Sequence, residues 1–248
     1  MTRQYKILEY VADEPDITVK DLSERLGVSE VTIRKDLTAL ENDHLLKRTH
    51  GGVTLLNADS MEAKMAKHYL AKLAIAKAAA KLVQSGDTIL VDAGSTNAVF
   101  AKELLTKQGV HVITNSLYIA NILVDAPGLQ VTLIGGTLQR HSQTFGGPMA
   151  KYILNKIAVQ KAFIGANGFS QRLGFTCNDF SQVEIASLMA EHAQSVYILA
   201  DADKFDAEGT MTVVPLNQVN AVITNTSANA DALGFLAENN IAVTEVAQ

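Results

Sequence analysis

Five stretches of the chain place polar side chains directly after a short apolar run. Such a pattern arises where a buried strand ends and its loop meets a ligand. In ILVDAGSTN, Asp92 follows an apolar run and can accept hydrogen bonds from sugar hydroxyls. Gly94 lets the backbone turn close to a bound molecule. Ser95 and Thr96 set hydroxyls beside the free amides of a starting helix, a seat suited to phosphate. Asn115 and Ser116 occupy a second junction, TNSLYIA. In IGGTLQRHSQTFGGP, Gly136 belongs to a glycine pair, and Arg140 and His141 follow, with Arg140 the natural partner for an anion. Asn167 lies in the FIGANG loop, and Asp201, Asp203 and Lys204 close ILADADKF. Each stretch alone also reads as an ordinary turn or an exposed charge pair. Together they match the carboxyl ends of strands where α/β sheets bind ligands.

A different chemistry lies in residues 29–41, SEVTIRKDLTALE. Ile33, Leu37 and Leu40 recur at helical spacing and form an inner stripe. That leaves Val31, Thr32, Arg34, Lys35 and Thr38 outward or to one side. Arg and Lys reach phosphates or guanine edges, Thr reaches either, and Val31 can meet a thymine methyl. Ser29 caps this helix. The helix before it has Thr18 as its cap, Val19, Leu22 and Leu26 as its stripe, and Gly27 as its stop. The pair reads as a helix-turn-helix, the second helix being the recognition element. A hairpin follows, with a basic tip carrying Lys47, Arg48 and His50 that would act as a wing on the DNA backbone or minor groove. A three-helix bundle with a solvated face would show the same stripe.

The elements that must hold these residues follow from length and period. A chain of 248 residues suits one large or two unequal domains, and 48% apolar content supplies a sizeable core. The expected division is a DNA-binding domain over residues 1–57, a linker and helix over 58–75, and an α/β effector domain over 76–248. In the last part, strand-like runs alternate with helical ones at 97–107, 117–124, 149–157 and 181–192, which predicts a largely parallel sheet. Net charge is −5 overall, and the first 57 residues hold eight Lys/Arg against ten Asp/Glu. Any nucleic-acid contact must therefore come from a local patch. The single cysteine, Cys177, cannot make an internal disulfide, and neither a signal peptide nor a membrane-length apolar run is present, so a cytoplasmic protein without membrane partners is expected. The six histidines and Cys177 show no paired ligand spacing, so no metal and no cofactor is expected.

With those residues in view, the chain resembles the DeoR family of bacterial sugar-metabolism regulators. The resemblance rests on Arg3, Ile7, Val11, SEVTIRKDL and RTHGGV in the first part, and on DAGST, TNS, GG with Arg140, FIGANG and ADADKF in the second. It implies a winged helix-turn-helix with Ser29, Thr32, Arg34 and Lys35 on DNA. It also implies an effector domain similar in fold to ribose-5-phosphate isomerases that takes phosphorylated sugars. Many members carry Glu-Val-Lys after the ANG loop, whereas this chain has Glu184, Ile185 and Ala186. The expected function is a homo-oligomeric repressor, dimeric or tetrameric, of a carbohydrate operon. It would bind double-stranded operator DNA and answer to a sugar phosphate, without being an enzyme. The alternative is a sugar-phosphate isomerase-like enzyme with an appended DNA-binding domain.

Overall fold

The computed structural model describes residues 2–14, 17–42, 45–49, 52–55 and 60–247. The chain divides into two compact units, Met1–Tyr69 and Leu70–Gln248.

The first unit contains α1 (Thr2–Asp13), α2 (Val19–Leu26), α3 (Glu30–Asn42), a hairpin of β1 (Leu46–Arg48) and β2 (Val53–Leu55), and α4 (Met61–Ala66). α2 opens with a capping box between Thr18 and Asp21 and stops at Gly27, whose φ of 63° is open to glycine without strain. The turn is short enough to start α3 at once, where the Ser29 hydroxyl accepts from the Thr32 amide at 3.3 Å. Ile7, Leu8, Val11, Leu22, Ile33, Leu37, Leu40, Leu46 and Val53 form one buried core. Ala66 of α4 joins that core, so part of the stretch between the two sequence-defined domains packs with the first unit. A polar anchor that hydrophobic periodicity does not signal lies beneath α3. Asp36 is buried, and Arg3 of α1 grips it with Nε and one terminal nitrogen, at 2.5 and 3.2 Å. The bidentate pair satisfies a carboxylate that would otherwise be costly inside.

The second unit runs α5 (Tyr69–Lys81), β3 (Thr88–Val91), α6 (Ser95–Leu104), β4 (Val110–Thr114), α7 (Leu117–Leu123), β5 (Leu129–Leu133), β6 (Thr137–Gln139), β7 (Thr144–Gly146), α8 (Pro148–Leu154), β8 (Val159–Gly165), β9 (Gly168–Ser170), β10 (Gly174–Cys177), α9 (Phe180–Glu191), β11 (Ala193–Leu199), β12 (Met211–Val214), β13 (Ala221–Asn225), α10 (Ala230–Glu238) and β14 (Ala242–Val246). Seven strands form a parallel sheet in the order β14-β13-β11-β8-β3-β4-β5. Its central strands are apolar on both faces: Ile89, Leu90, Val91, Ala162, Phe163 and Ile164 are all buried, as a sheet covered on both sides requires. Phe100 of α6 packs on Phe163 with ring centroids 4.5 Å apart.

The order explains why the polar motifs meet. From β3 the chain moves outward through β4 to β5; from β8 it moves the other way through β11 and β13 to β14. Connections therefore diverge between β3 and β8, the switch point where open α/β sheets leave a crevice at their carboxyl edge. Two smaller pieces stand beside that sheet. β6 and β7 form a hairpin, and β9, β10 and β12 form an antiparallel trio. Neither these nor α10 and β14 were among the elements expected from sequence.

Candidate functional site

On the first unit, α3 sorts its residues as its period dictates. Ile33, Leu37 and Leu40 are buried, while Val31, Arg34, Lys35 and Thr38 are exposed and Thr32 is half-buried. Val31 is 77% exposed, a large apolar side chain held out at the helix start next to the exposed Ser29. The Ser29 and Thr32 hydroxyls lie 3.0 Å apart. Arg34 reaches back one turn to Glu30 at 2.8 Å, an exposed pair that DNA phosphate can displace at little cost. Lys35 and Lys47 are exposed. Thr38 turns its hydroxyl onto the Arg34 carbonyl at 2.8 Å. Arg48, the last residue of β1 before the hairpin turn, also meets the Arg34 carbonyl, at 2.9 Å, and the Thr38 hydroxyl. His50 lies outside the described residues.

The second unit gathers the other expected residues along the carboxyl edge of its sheet. Asp92 follows β3 and is buried. Burial pushes its carboxyl up to about 7, against the backbone N–H groups of Ala93 and Gly165. The Gly165 N–H at the end of β8 donates to it at 3.4 Å, across the switch point. Gly94 takes a φ of 120° as the cap of α6, a conformation that L side chains rarely adopt. Ser95 is half-buried and Thr96 buried in the first turn of α6. Asn97, not singled out beforehand, is fully buried and ties three carbonyls together. Its amide donates to Asp92 at 2.9 Å, Phe163 at 3.2 Å and Ala93 at 3.4 Å. Asn97 thereby clamps the ends of β3 and β8 to α6.

Asn115, after β4, donates to the Phe145 carbonyl at 3.1 Å, and the Phe145 N–H returns to the Asn115 carbonyl at 2.8 Å. Through this exchange the β6–β7 hairpin is pinned to the edge of the sheet. Gly136 opens the hairpin with a φ of 151°, and a Cβ there would come within 2.4 Å of the Gly146 carbonyl oxygen, so only glycine fits. Arg140 sits exposed at the turn of the hairpin. Asn167 is exposed, its N–H bonded to the Thr176 carbonyl at 2.9 Å. Lys204 is half-buried in a single 3-10 turn after β11. Asp201, which precedes that turn, is buried and paired with the buried Lys72 of α5 at 3.8 Å. Lys72 was missed because a lysine in an alanine-rich helix reads as a solvated charge.

Three buried side-chain oxygens on this edge have no hydrogen-bond partner: Asn97 Oδ1, Asn115 Oδ1 and Asp201 Oδ1. Such groups are costly unless something supplies a donor. Cys177, at the end of β10, is buried. Burial, together with the neighbouring carboxylates of Asp92 and Asp179, raises its thiol above the usual range and outweighs the amides that bond it, so it is no ready nucleophile. Ala186 is buried in the core under α9, and Glu184 on the same helix pairs with Lys151 of α8 at 2.8 Å. No cluster of His, Cys, Asp and Glu able to hold a metal occurs among the described residues, and none of their helices is long and apolar enough to cross a membrane.

Comparison with known proteins separates the same two parts. Residues 3–59 match the DeoR-like helix-turn-helix domain and residues 67–226 the DeoR C terminal sensor domain. The HTH-type transcriptional regulator GolR of Listeria innocua is 34% identical over 92% of this chain and 91% of its own length. The lactose phosphotransferase system repressor of Lactococcus lactis is 36% identical over 82% of each. The putative aga operon transcriptional repressor of Escherichia coli O157:H7 is 28% identical over 97% of this chain and 92% of its own. Among solved structures, ribose 5-phosphate isomerase A of Methanocaldococcus jannaschii is 21% identical, with a TM-score of 0.41 over 54% of this chain and 53% of that one. With both domain models matched, and in the order that the fold presents them, the chain belongs to the DeoR family of helix-turn-helix transcriptional regulators.

Proposed function

We propose that this regulator represses a carbohydrate-uptake or catabolic operon and that a phosphorylated sugar, bound at the carboxyl edge of the parallel sheet, changes its operator affinity. The observation that carries the reading is the set of polar groups along that edge. Across β11, β8, β3 and β4, three strand spacings or about 14 Å, it presents Asp201, the Gly165 amide, Asp92 and Asn115. Three buried oxygens there are left in need of donors. A sugar offers hydroxyl donors, and its phosphate suits the amides at the start of α6 beside Ser95 and Thr96. Lys72, Arg140 and Lys204 supply cationic groups on or near the same edge. The name of one relative, a lactose phosphotransferase system repressor, agrees with a sugar operon.

On the DNA side, Ser29, Thr32, Arg34 and Lys35 read bases and phosphates from α3, with Lys47 on the wing. Two copies related by symmetry would place α3 in successive major grooves. The sugar can loosen or tighten the operator complex only by its differential affinity for the two arrangements of the oligomer. The isomerase alternative has only likeness of fold behind it, and fold does not carry activity. The deciding experiment is fluorescence anisotropy on labelled DNA from upstream of the protein's own gene, with and without a panel of sugar phosphates. Selective binding altered by one of them is the expected result. Selective binding that none of them alters would sink the effector reading, and turnover of any of them would sink the non-enzyme reading.

A further inference from the structure

The wing of a winged helix is usually pictured with its cations turned to DNA, and Arg48 is the guanidinium that ends β1 beside the turn. Its surroundings here assign another task. Along β1, alternation of the pleat sends Leu46 and Arg48 to one face and Lys47 to the other. Leu46 is fully buried in the core behind α3, so Arg48 continues along the side that faces the helix.

There it makes four contacts with three residues of α3. One terminal nitrogen donates to the Arg34 carbonyl at 2.9 Å and to the Thr38 hydroxyl. The Nε lies 3.4 Å from a Glu41 oxygen. The backbone N–H of Arg48 donates to the other Glu41 oxygen at 3.2 Å. Thr38 closes the ring by donating to the same Arg34 carbonyl at 2.8 Å. Arg34, Thr38 and Glu41 span two turns of α3, so this one residue ties the turn end of β1 to the helix over that length. The planar fork of a guanidinium can make these contacts together, whereas an ammonium cannot.

We infer that Arg48 is a positioning residue for DNA recognition: it fixes the angle between wing and recognition helix through Glu41, Thr38 and the Arg34 carbonyl, and phosphate contact on the wing falls to Lys47. The inference rests on the operator reading of α3 given above. It differs from a phosphate role in a way that charge reveals. A phosphate-holding arginine is largely replaced by lysine, and its loss flattens the salt dependence of binding by roughly one contact, about 0.9 in log–log slope. Glu41 gives the opposite sign in the two cases. Removing an acid near DNA strengthens binding if only the field matters, and weakens it if the acid holds Arg48 in place.

The test measures operator affinity and salt slope for the full-length protein and its Arg48→Lys, Arg48→Gln, Glu41→Gln and Arg48→Gln/Glu41→Gln variants. Circular dichroism melts confirm that each one folds. Positioning predicts that Lys and Gln at 48 weaken operator binding alike, by about tenfold, the scale of one charged hydrogen bond. Glu41→Gln should also weaken it, and the double variant should be no weaker than the worse single one. Tight binding by Arg48→Lys, a flattened slope in Arg48→Gln alone, or tighter binding by Glu41→Gln would each overturn the inference. Wild-type protein that fails to select its upstream DNA would instead overturn the operator reading, and this inference with it.

Discussion

Asp92 offers the sharpest check on the effector domain, because its environment makes a signed statement about pH. The folded chain holds the carboxyl proton up to about 7, whereas the ordinary value is 3.8. A carboxyl whose folded value is raised leaves stability intact below about pH 4. Stability is then lost progressively as the pH rises towards 7, and the cost stays constant above that. Roughly three pH units at about 1.4 kcal/mol each put the full cost near 4 kcal/mol. An asparagine at 92 never ionises and escapes it, but its NH2 group then sits where Asp92 accepts from backbone amides, at a cost of about 1–3 kcal/mol. The lost hydrogen bonding cancels when the Asn-minus-Asp stability difference is compared between pH 5 and pH 8. Only ionisation remains, and it should favour Asp92→Asn by about 3 kcal/mol more at pH 8 than at pH 5. For a unit of this size that corresponds to a relative rise in Tm of about 6–12 °C. Differential scanning calorimetry of both proteins across that range, following the effector-domain transition, reads the difference directly. If it is the same at pH 5 and pH 8, Asp92 ionises normally in the folded protein and the burial argument is wrong.

The remaining expectations follow from the same contacts. If sugar hydroxyls donate to ionised Asp92, binding of the effector tightens as pH rises from 6 to 8 and releases a proton; calorimetric titration in buffers of different ionisation enthalpy would show no proton release if that role is wrong. Lys72→Met strands Asp201 without its partner ion and should cost about 3–5 kcal/mol, much of it recovered in Lys72→Met/Asp201→Leu; denaturant melts showing no cost for the single change would remove the pair from the core. Arg34→Ala should weaken operator binding by about 1–3 kcal/mol and relax base choice if it grips a base, whereas unchanged affinity and salt slope would place it off the DNA. A fragment ending at residue 69 should melt cooperatively, and one ending at residue 57 should melt lower because it lacks α4 and Ala66. Equal melting of the two would mean that α4 adds nothing to that core.

Periodicity and end signals were enough to read most of this protein. The inner stripe of Ile33, Leu37 and Leu40 is a local property of a 3.6-residue repeat, and the Thr18 and Gly27 stops are local capping chemistry, so both were legible without coordinates. The buried strands of the sheet were legible for a related reason: runs such as TILV and KAFIG are apolar on both faces only when helices cover both sides. The motifs at their carboxyl ends could be found one by one. What the sequence could not state is that they are neighbours, because strand order depends on which crossovers turn left or right of β3. Only the tertiary structure sets β8 beside β3 and so brings Gly165 to Asp92. Burial decided the rest. Asn97, Lys72 and Asp36 are polar residues in helices, where sequence reads a solvated face. Their partners lie 66, 129 and 33 residues away in the chain. No local pattern carries a contact of that range, and it is these long-range partners that turn ordinary polar residues into clamps, ion pairs and anchors.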